Sequence, residues 1–419
     1  MFKCFFTKIC ITLLLITESV FAETYGVFEL LQKAYENNSS IKSQMSIVQA
    51  EEALIAAKTT LDDPMVGFST LDRGSETTYG VISQKIRFPI KYYYQNQAQK
   101  NKKLAEDTRL DIEKFKVRKN VIELYYGIFS LQKIIQLVEA NMQAVREFSR
   151  VAERKYAAGQ ARQGDSMKAH FELTHLELDL IRYKQQEEAL QEKLKSVVND
   201  DSLGRLQFGD FELEVPELNL QSLLVSKEEL KKSLTNNALQ LRTSKYVLDE
   251  ARSRSTLSKW EFAPDFQLQY QKRLSGEPED SDIFMVQMSV PFWFWKKTGE
   301  ATAATAQRMA QEYRLQGQTD ELLAKINDLK GRVQTSEKTL KIYKTSLIPQ
   351  AQGAYSSSKA AYRANKTSFL DLLDSERSLF RVKTGYYQSM QLFVSTLVTL
   401  EAELGYEVSK FVNHERSGS

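Results

Sequence analysis

The sequence predicts a mainly α-helical chain with a membrane β-barrel segment, in which long antiparallel coiled-coil helices carry four short strands. Three observations predict this. First, the layout occurs twice: "YENNSSI" leads to Pro64 and the alternating "MVGFSTLD", and "LTNNALQ" leads to Pro264 and the alternating "FQLQYQKR". Second, each pair of alternating stretches is followed by a very long run whose apolar residues recur in steps of three and four, the signature of helices packed lengthwise. Third, the chain opens with an export-type leader, and no later stretch reads as a membrane-spanning helix.

The leader is expected to occupy residues 1–22. Lys3 and Lys8 make its basic start, Ile9 to Ile16 is mostly apolar, and Val20-Phe21-Ala22 fits a small-x-small cleavage site. Both cysteines, Cys4 and Cys10, fall inside it. The mature chain is therefore expected to hold no disulfide, no zinc site built on cysteine and no lipid-bearing N-terminal thiol. The chain has 57 basic and 54 acidic residues; loss of Lys3, Lys8 and Glu18 leaves 55 against 53. That balance offers no basic patch for nucleic acid.

After the leader, two structural repeats are expected, 23–215 and 216–412, followed by a polar tail at 413–419. Each repeat reads as helix, β-hairpin and long helix pair. The hairpins lie at 64–88 and 264–291, and the helix pairs turn near 157–166 and 363–371. Helices at about 25–61 and 226–262 open the repeats. From Tyr92 to Tyr156 the chain has no proline and a single glycine, Gly127; unbroken, that run is roughly 100 Å of helix. Its seam is Val121, Leu124, Ile128, Leu131, Ile135, Val138, Met142 and Val145. Ile326, Leu329, Val333, Leu340 and Leu347 repeat the seam in the second copy, where Pro349 should kink the helix. Residues 199–224, with "NDDSLG", "FGD" and Pro216, read as a small mixed insert.

The alternating stretches carry the functional weight. Phe266, Leu268 and Tyr270 alternate with Gln267, Gln269 and Gln271; Phe284, Val286, Met288 and Val290 form a second apolar row. In the first repeat Val66 and Phe68 face away from Gly67 and Ser69, while the facing of Thr77 to Ile86 is ambiguous. Stretches of about 9–11 residues suit a tilted strand crossing a bilayer. Soluble hairpins in a small sheet are the plainer alternative. In lipid, four strands cannot close a barrel and an open edge is not tolerated, so several chains must share one wall of about eight strands or more. Two, three or four copies all satisfy that condition.

The chain resembles the TolC-type outer-membrane efflux and secretion proteins. The resemblance runs from about Val27 to Leu404 and rests on the ordered set "AYENNSSI", "SQKIRFPIK", "ERKYAAGQARQGDSMKAHFEL" and "LIPQAQGAYSSSKAAYRANKTSFLDLLDSERSL". The last two are similar to the family's Tyr-x-x-Gly-x5-Asp turn. Tyr156, Gly159 and Asp165 match it, as do Tyr362 and Asp371, with Asn365 in place of glycine. Asparagine tolerates a left-handed turn, so the exchange is mild. The resemblance implies a homotrimer with a shared twelve-stranded barrel in the outer membrane and a helical α-barrel extending into the periplasm. It also implies a passive exit duct for small solutes such as drugs or metal cations. The duct would be docked by a periplasmic adaptor and driven by an inner-membrane pump of RND or ABC type. No enzyme activity and no cofactor are implied.

The resemblance further places a periplasmic gate at the tip. Asp371 and Asp374 share one helix face, and each subunit would give both carboxylates to a ring that attracts cations and repels anions. The plainer reading of Asp371 is a favourable charge at a helix N-terminus. Tyr362 and Asp165 match residues that tie neighbouring tip helices, whereas the family's basic position is Thr367 here, beside Lys366. Gly159 and Asn365 mark the tip turns. Phe292, Trp293, Phe294 and Trp295, with Tyr92 and Tyr93, fit an aromatic girdle where barrel meets water; helix-core packing is the alternative. His170 and His175 stand roughly 140° apart around a helix and are expected to be surface residues. Two competing functions are a structural coiled-coil protein of the envelope and a type I protein-secretion duct.

Overall fold

The computed structural model describes residues 25–72, 76–159, 162–209, 211–218, 227–276 and 281–411. The expected leader (1–22), the polar tail (413–419) and Pro278 lie outside the described residues, as do positions 160–161 of the first tip turn.

The helix expected at 25–61 is two helices, α1 (Val27–Asn37) and α2 (Ser39–Thr59). Local capping outweighs the helical period. Asn38 is extended at φ −58°, ψ 127°, and its side chain accepts from the Ser40 and Ile41 N–H groups at 2.9 and 3.3 Å. Capping the new helix satisfies donors that would otherwise be orphaned. The Asn38 amide also donates to the Val197 carbonyl at 2.8 Å, which anchors the bend. The second repeat breaks likewise between α5 (Lys227–Asn237) and α6 (Leu239–Trp260), at buried Ala238. Each break lies 26 residues before the proline that precedes the hairpin.

The strands β1 (Met65–Asp72), β2 (Glu76–Ile86), β4 (Phe266–Ser275) and β5 (Ile283–Met288) form one antiparallel sheet in the order β1-β2-β4-β5. The pairing of β2 with β4 joins the two repeats, with a register shift at Thr78/Tyr79. Directly opposed residues share a face. The pairs Val66–Ile82, Ile82–Tyr270 and Tyr270–Phe284 therefore make one row across the sheet. Leu268–Val286 and Phe266–Met288 make the next two. Phe68, Phe284 and Val286 are 80%, 66% and 62% exposed, so this apolar face has no cover among the described residues. The opposite face carries Lys85, Gln267 and Gln287, then Ser83 and Gln269, with Met65 and Met285 beside them. β1 and β5 are left as open edges.

Below the sheet, α3 (Pro89–Ala157) is one helix of 69 residues, about 100 Å long. It packs on α2 and α6 near the sheet and on α4 (Gln163–Val198) and α9 (Phe369–Leu404) further down. Contact on several sides makes its buried face wider than the expected seam. Ile122, Tyr125, Phe129 and Ile134 are buried along with Val121, Ile128, Val138, Met142 and Val145, while Leu124, Leu131 and Ile135 are only partly covered. The expectation that no stretch reads as a membrane helix is corrected here. An 18-residue window of α3 reaches a mean hydropathy of 1.2, but 61% of it is buried inside the fold, so it is helix core.

α4 and α9 are each 36 residues and each ends on a left-handed residue, Asn199 (φ 54°) and Gly405 (φ 76°). The long helix of the second repeat runs as α7 (Phe294–Ile342), a π turn (Tyr343–Leu347) and α8 (Ile348–Arg363). Pro349 lacks an N–H and its ring crowds the carbonyl four residues back, so the helix widens there without stopping. The Tyr343 ring lies against Gly385 of α9; a Cβ at 385 would meet the Tyr343 hydroxyl at 2.7 Å. The insert contributes β3 (Glu217–Leu218), which pairs with β6 (Ser409–Lys410).

Buried Arg118 of α3 bonds Glu401 of α9 and pairs with Glu407 at 3.0 Å. Glu401 also accepts from the Val408 and Ser409 N–H groups and from the Ser409 hydroxyl.

Candidate functional site

The tip is closed by a small apolar core. Val138, Val145, Phe148 and Ala152 of α3 meet Ala169 and Leu176 of α4, Tyr362 of α8, and Phe369, Leu372 and Leu373 of α9. Both turns need a left-handed residue. Gly159 has φ 70° and Asn365 has φ 58°, so asparagine occupies the conformation that glycine holds in the first turn.

Asp371 lies in the first turn of α9 and forms a capping box with Ser368. One carboxylate oxygen accepts from the Thr367 hydroxyl at 2.8 Å, the Ser368 hydroxyl at 2.7 Å and the Ser368 N–H at 3.1 Å. The Asp371 N–H donates to the Ser368 hydroxyl in return. The Ser368 hydroxyl, then Thr367 and the Ser368 N–H, hold the Asp371 carboxyl below the usual carboxylate range. Thr367 thus serves this cap. Asp374 stands one turn further along α9 and is exposed.

Tyr362 is 5% exposed and its hydroxyl has no hydrogen-bond partner among the described residues. Burial, and then the charge of Asp165, push its pKa up. Asp165 is in the first turn of α4, close enough to act on Tyr362 through its field without bonding it. The side chain that does join the turns is Lys155, which no sequence motif singles out. Its ammonium donates to the Tyr362 carbonyl at 3.0 Å and to Asn365 Oδ1 at 2.6 Å, and sits 3.9 Å from the Tyr362 ring centroid.

Above the tip, Arg377 of α9 bonds Glu172 of α4, with Nε at 2.9 Å. Neighbouring Glu376 is 6% exposed, with one carboxyl oxygen unpartnered among the described residues. Burial, reinforced by the charge of Glu172, raises its pKa to about 8. His170 and His175 are exposed beside Glu153 and Asp179 at 3.5 and 3.6 Å. No cluster with metal-ligand composition occurs among the described residues.

At the other end, Phe292, Trp293, Phe294 and Trp295 are 58–75% exposed and lie edge to face, with ring centroids 5.1–5.5 Å apart. Tyr93 is exposed at the start of α3, and Tyr92 is half-buried, its hydroxyl accepting from the Arg87 N–H at 3.2 Å. Both groups follow a hairpin directly. Next to Tyr92 in the chain is buried Lys91, whose ammonium contacts Asp265 at 2.8 Å and the Ala263 carbonyl at 2.9 Å. Asp265 also accepts from the Phe88 N–H at 3.0 Å, so one aspartate clamps the roots of both hairpins.

Comparison with known proteins places this architecture. Residues 230–406 match the family model described as outer membrane efflux protein. The cobalt-zinc-cadmium resistance protein CzcC of Cupriavidus metallidurans is 23% identical over 315 residues, covering 74% of this chain and 72% of that protein. The CusC structures align with a TM-score of 0.77 at 15% identity, over 91% of this chain and 92% of that one. The CmeC outer-membrane channel of Campylobacter jejuni aligns with a TM-score of 0.77 at 14% identity, over 92% and 87%. With the duplicated helix–hairpin frame and the open-edged sheet, residues 230–406 carry the match to the outer membrane efflux protein family, and the whole chain shares the fold of the CusC and CmeC structures.

Proposed function

We propose that three copies of this chain close one twelve-stranded barrel in the outer membrane and one helical duct through the periplasm. The assembly is the passive exit of a tripartite efflux system. A periplasmic adaptor docks on the helices, and an inner-membrane pump of RND or ABC type supplies the drive. The observation that carries this reading is the sheet: one face is apolar, the other is mostly polar, and each outer strand leaves one edge open. Lipid accepts such a sheet only when neighbouring copies complete it. An envelope filament would have no use for it.

The exposed rings at 292–295, with Tyr92 and Tyr93, serve as the aromatic girdle at the membrane–water boundary. At the tip, Asp371 and Asp374 of each subunit form the gate ring, with Tyr362 and Asp165 packed behind it. The cargo favoured is a divalent metal cation, since the curated relative is a cobalt-zinc-cadmium resistance protein and a carboxylate ring draws cations. Purified protein in planar lipid bilayers tests the reading. It should give discrete channels whose current is blocked by multivalent cations from the periplasmic side, and replacing Asp371 and Asp374 with alanine should relieve the block. Deleting the gene should sensitise cells to cobalt, zinc or cadmium. A water-soluble monomer giving no channels would refute the duct, and hypersensitivity confined to organic drugs would refute the metal cargo.

A further inference from the structure

The tip turn of the second repeat carries an asparagine whose conformational role a glycine would fill at lower cost. Gly159 does so in the first turn. What Asn365 adds is an acceptor, and Lys155 uses it at 2.6 Å. The same ammonium takes the Tyr362 carbonyl at 3.0 Å and stacks on the Tyr362 ring at 3.9 Å. Three contacts thus converge on one cation and join the end of α3 to the turn that leads into α9. The link has no mirror image. α4 and α9 align with an offset of 206 residues (Gln163 with Phe369), which puts Ala361 opposite Lys155 and Gly159 opposite Asn365. Neither can reproduce the contact, so it occurs once per subunit and in one direction.

The turn so held has little freedom downstream. The Lys366 N–H closes back onto the Ala361 carbonyl at 2.8 Å, and the next residues, Thr367 and Ser368, are the ones that fix Asp371. A cation that pins residues 362–365 to α3 therefore sets where Asp371 and Asp374 stand.

We propose that Lys155 and Asn365 form a latch that positions the gate carboxylates and holds each subunit's two tip turns together, so that opening the tip requires its release. The latch rests on the duct reading above for its consequence, while its geometry can be tested separately. Apart from Cys4 and Cys10 the chain has no cysteine, so spin labels at Tyr156→Cys and Lys366→Cys report the separation of the two turns in the full chain. Three latch variants divide the contributions. Lys155→Met keeps the aliphatic stem and loses the charge. Asn365→Gly keeps the left-handed turn and loses the acceptor. Asn365→Asp keeps both and serves as the conservative rescue.

The label distance should be short and narrowly distributed in the parent and in Asn365→Asp, and long or broad in Asn365→Gly and Lys155→Met. Channel conductance should follow the same order, rising severalfold in the two disabling variants. The Lys155→Met/Asn365→Gly double variant should open no further than the more open single. A parental distance distribution in Asn365→Gly and Lys155→Met would overturn the latch. So would effects that multiply in the double variant, Asn365→Asp behaving like Asn365→Gly, or a widened distance with parental conductance. If the parent forms no channels, the duct reading fails instead, and the label distances still decide whether the latch exists.

Discussion

Replacing Glu376 with glutamine should change how stability depends on pH, in a direction the structure fixes. Glu376 is 6% exposed, and burial followed by the charge of Glu172 raises its pKa from 4.5 to about 8; Asn141 and Arg377 pull the other way without prevailing. Arg377 is already engaged with Glu172. An acid whose folded-state pKa lies above its unfolded value holds its proton more tightly when folded. Its contribution is complete below about pH 4.5, declines as pH rises through the window to about 8, and is flat above that. Within the window the slope approaches about 1.4 kcal/mol per pH unit, or roughly 5 kcal/mol at most per subunit. Glutamine preserves the shape and cannot ionise. Thermal unfolding of parent and Glu376→Gln, followed by far-UV circular dichroism between about pH 4 and pH 9, isolates this group from the other carboxylates, which cancel in the comparison. The two proteins should melt together at the acid end, and the variant should be the more stable at the alkaline end. A difference that stays constant across pH would refute the buried, proton-holding state of Glu376.

Two further outcomes follow from the packing. Arg118→Met should destabilise the fold by roughly 3–5 kcal/mol, because it strips the charge partner from a fully buried Glu401; urea unfolding measures this, and a loss below about 1 kcal/mol would contradict the assigned pairing. Val286→Arg, on the uncovered apolar face of β5, should cost roughly 2–4 kcal/mol in lipid and reduce the yield of membrane-inserted multimer. Gln269→Arg, on the opposite face, should be tolerated; a lower yield for Gln269→Arg would mean the faces are assigned the wrong way round, and equal yields would mean that neither face meets lipid.

Much of this architecture was legible in the sequence because it is repeated and because its signals are local. The prolines before each hairpin, the glutamine alternation in β4 and the turn position at Asn365 each speak through a few neighbouring residues. The parts that were not legible depend on distant partners. In β2, Gly80 and Gln84 lie on the apolar face, so alternation blurs and only the cross-strand register sorts the sides. Ile122, Tyr125 and Phe129 fall off a simple heptad because α3 is covered from several directions at once. Asn38 interrupts a good helical period by capping the next helix with its own side chain. Lys155 reads as one more basic residue on a charged helix, since its contacts lie 207 and 210 positions away. Asp371 and Asp374 stood out by motif, yet the role of Thr367 and Ser368 in holding Asp371 required the folded turn.

The two bare margins of the sheet bear on how the protein is made. A solitary chain entering hydrocarbon would drag a file of unmet amide and carbonyl groups on β1 and β5 into a medium without water, at several kcal/mol for each. Insertion one subunit at a time is therefore a thermodynamic dead end. For the shared barrel proposed above, biogenesis has to bring the copies together at the surface of the bilayer and commit their hairpins as a set, and the rate of maturation should climb with subunit concentration.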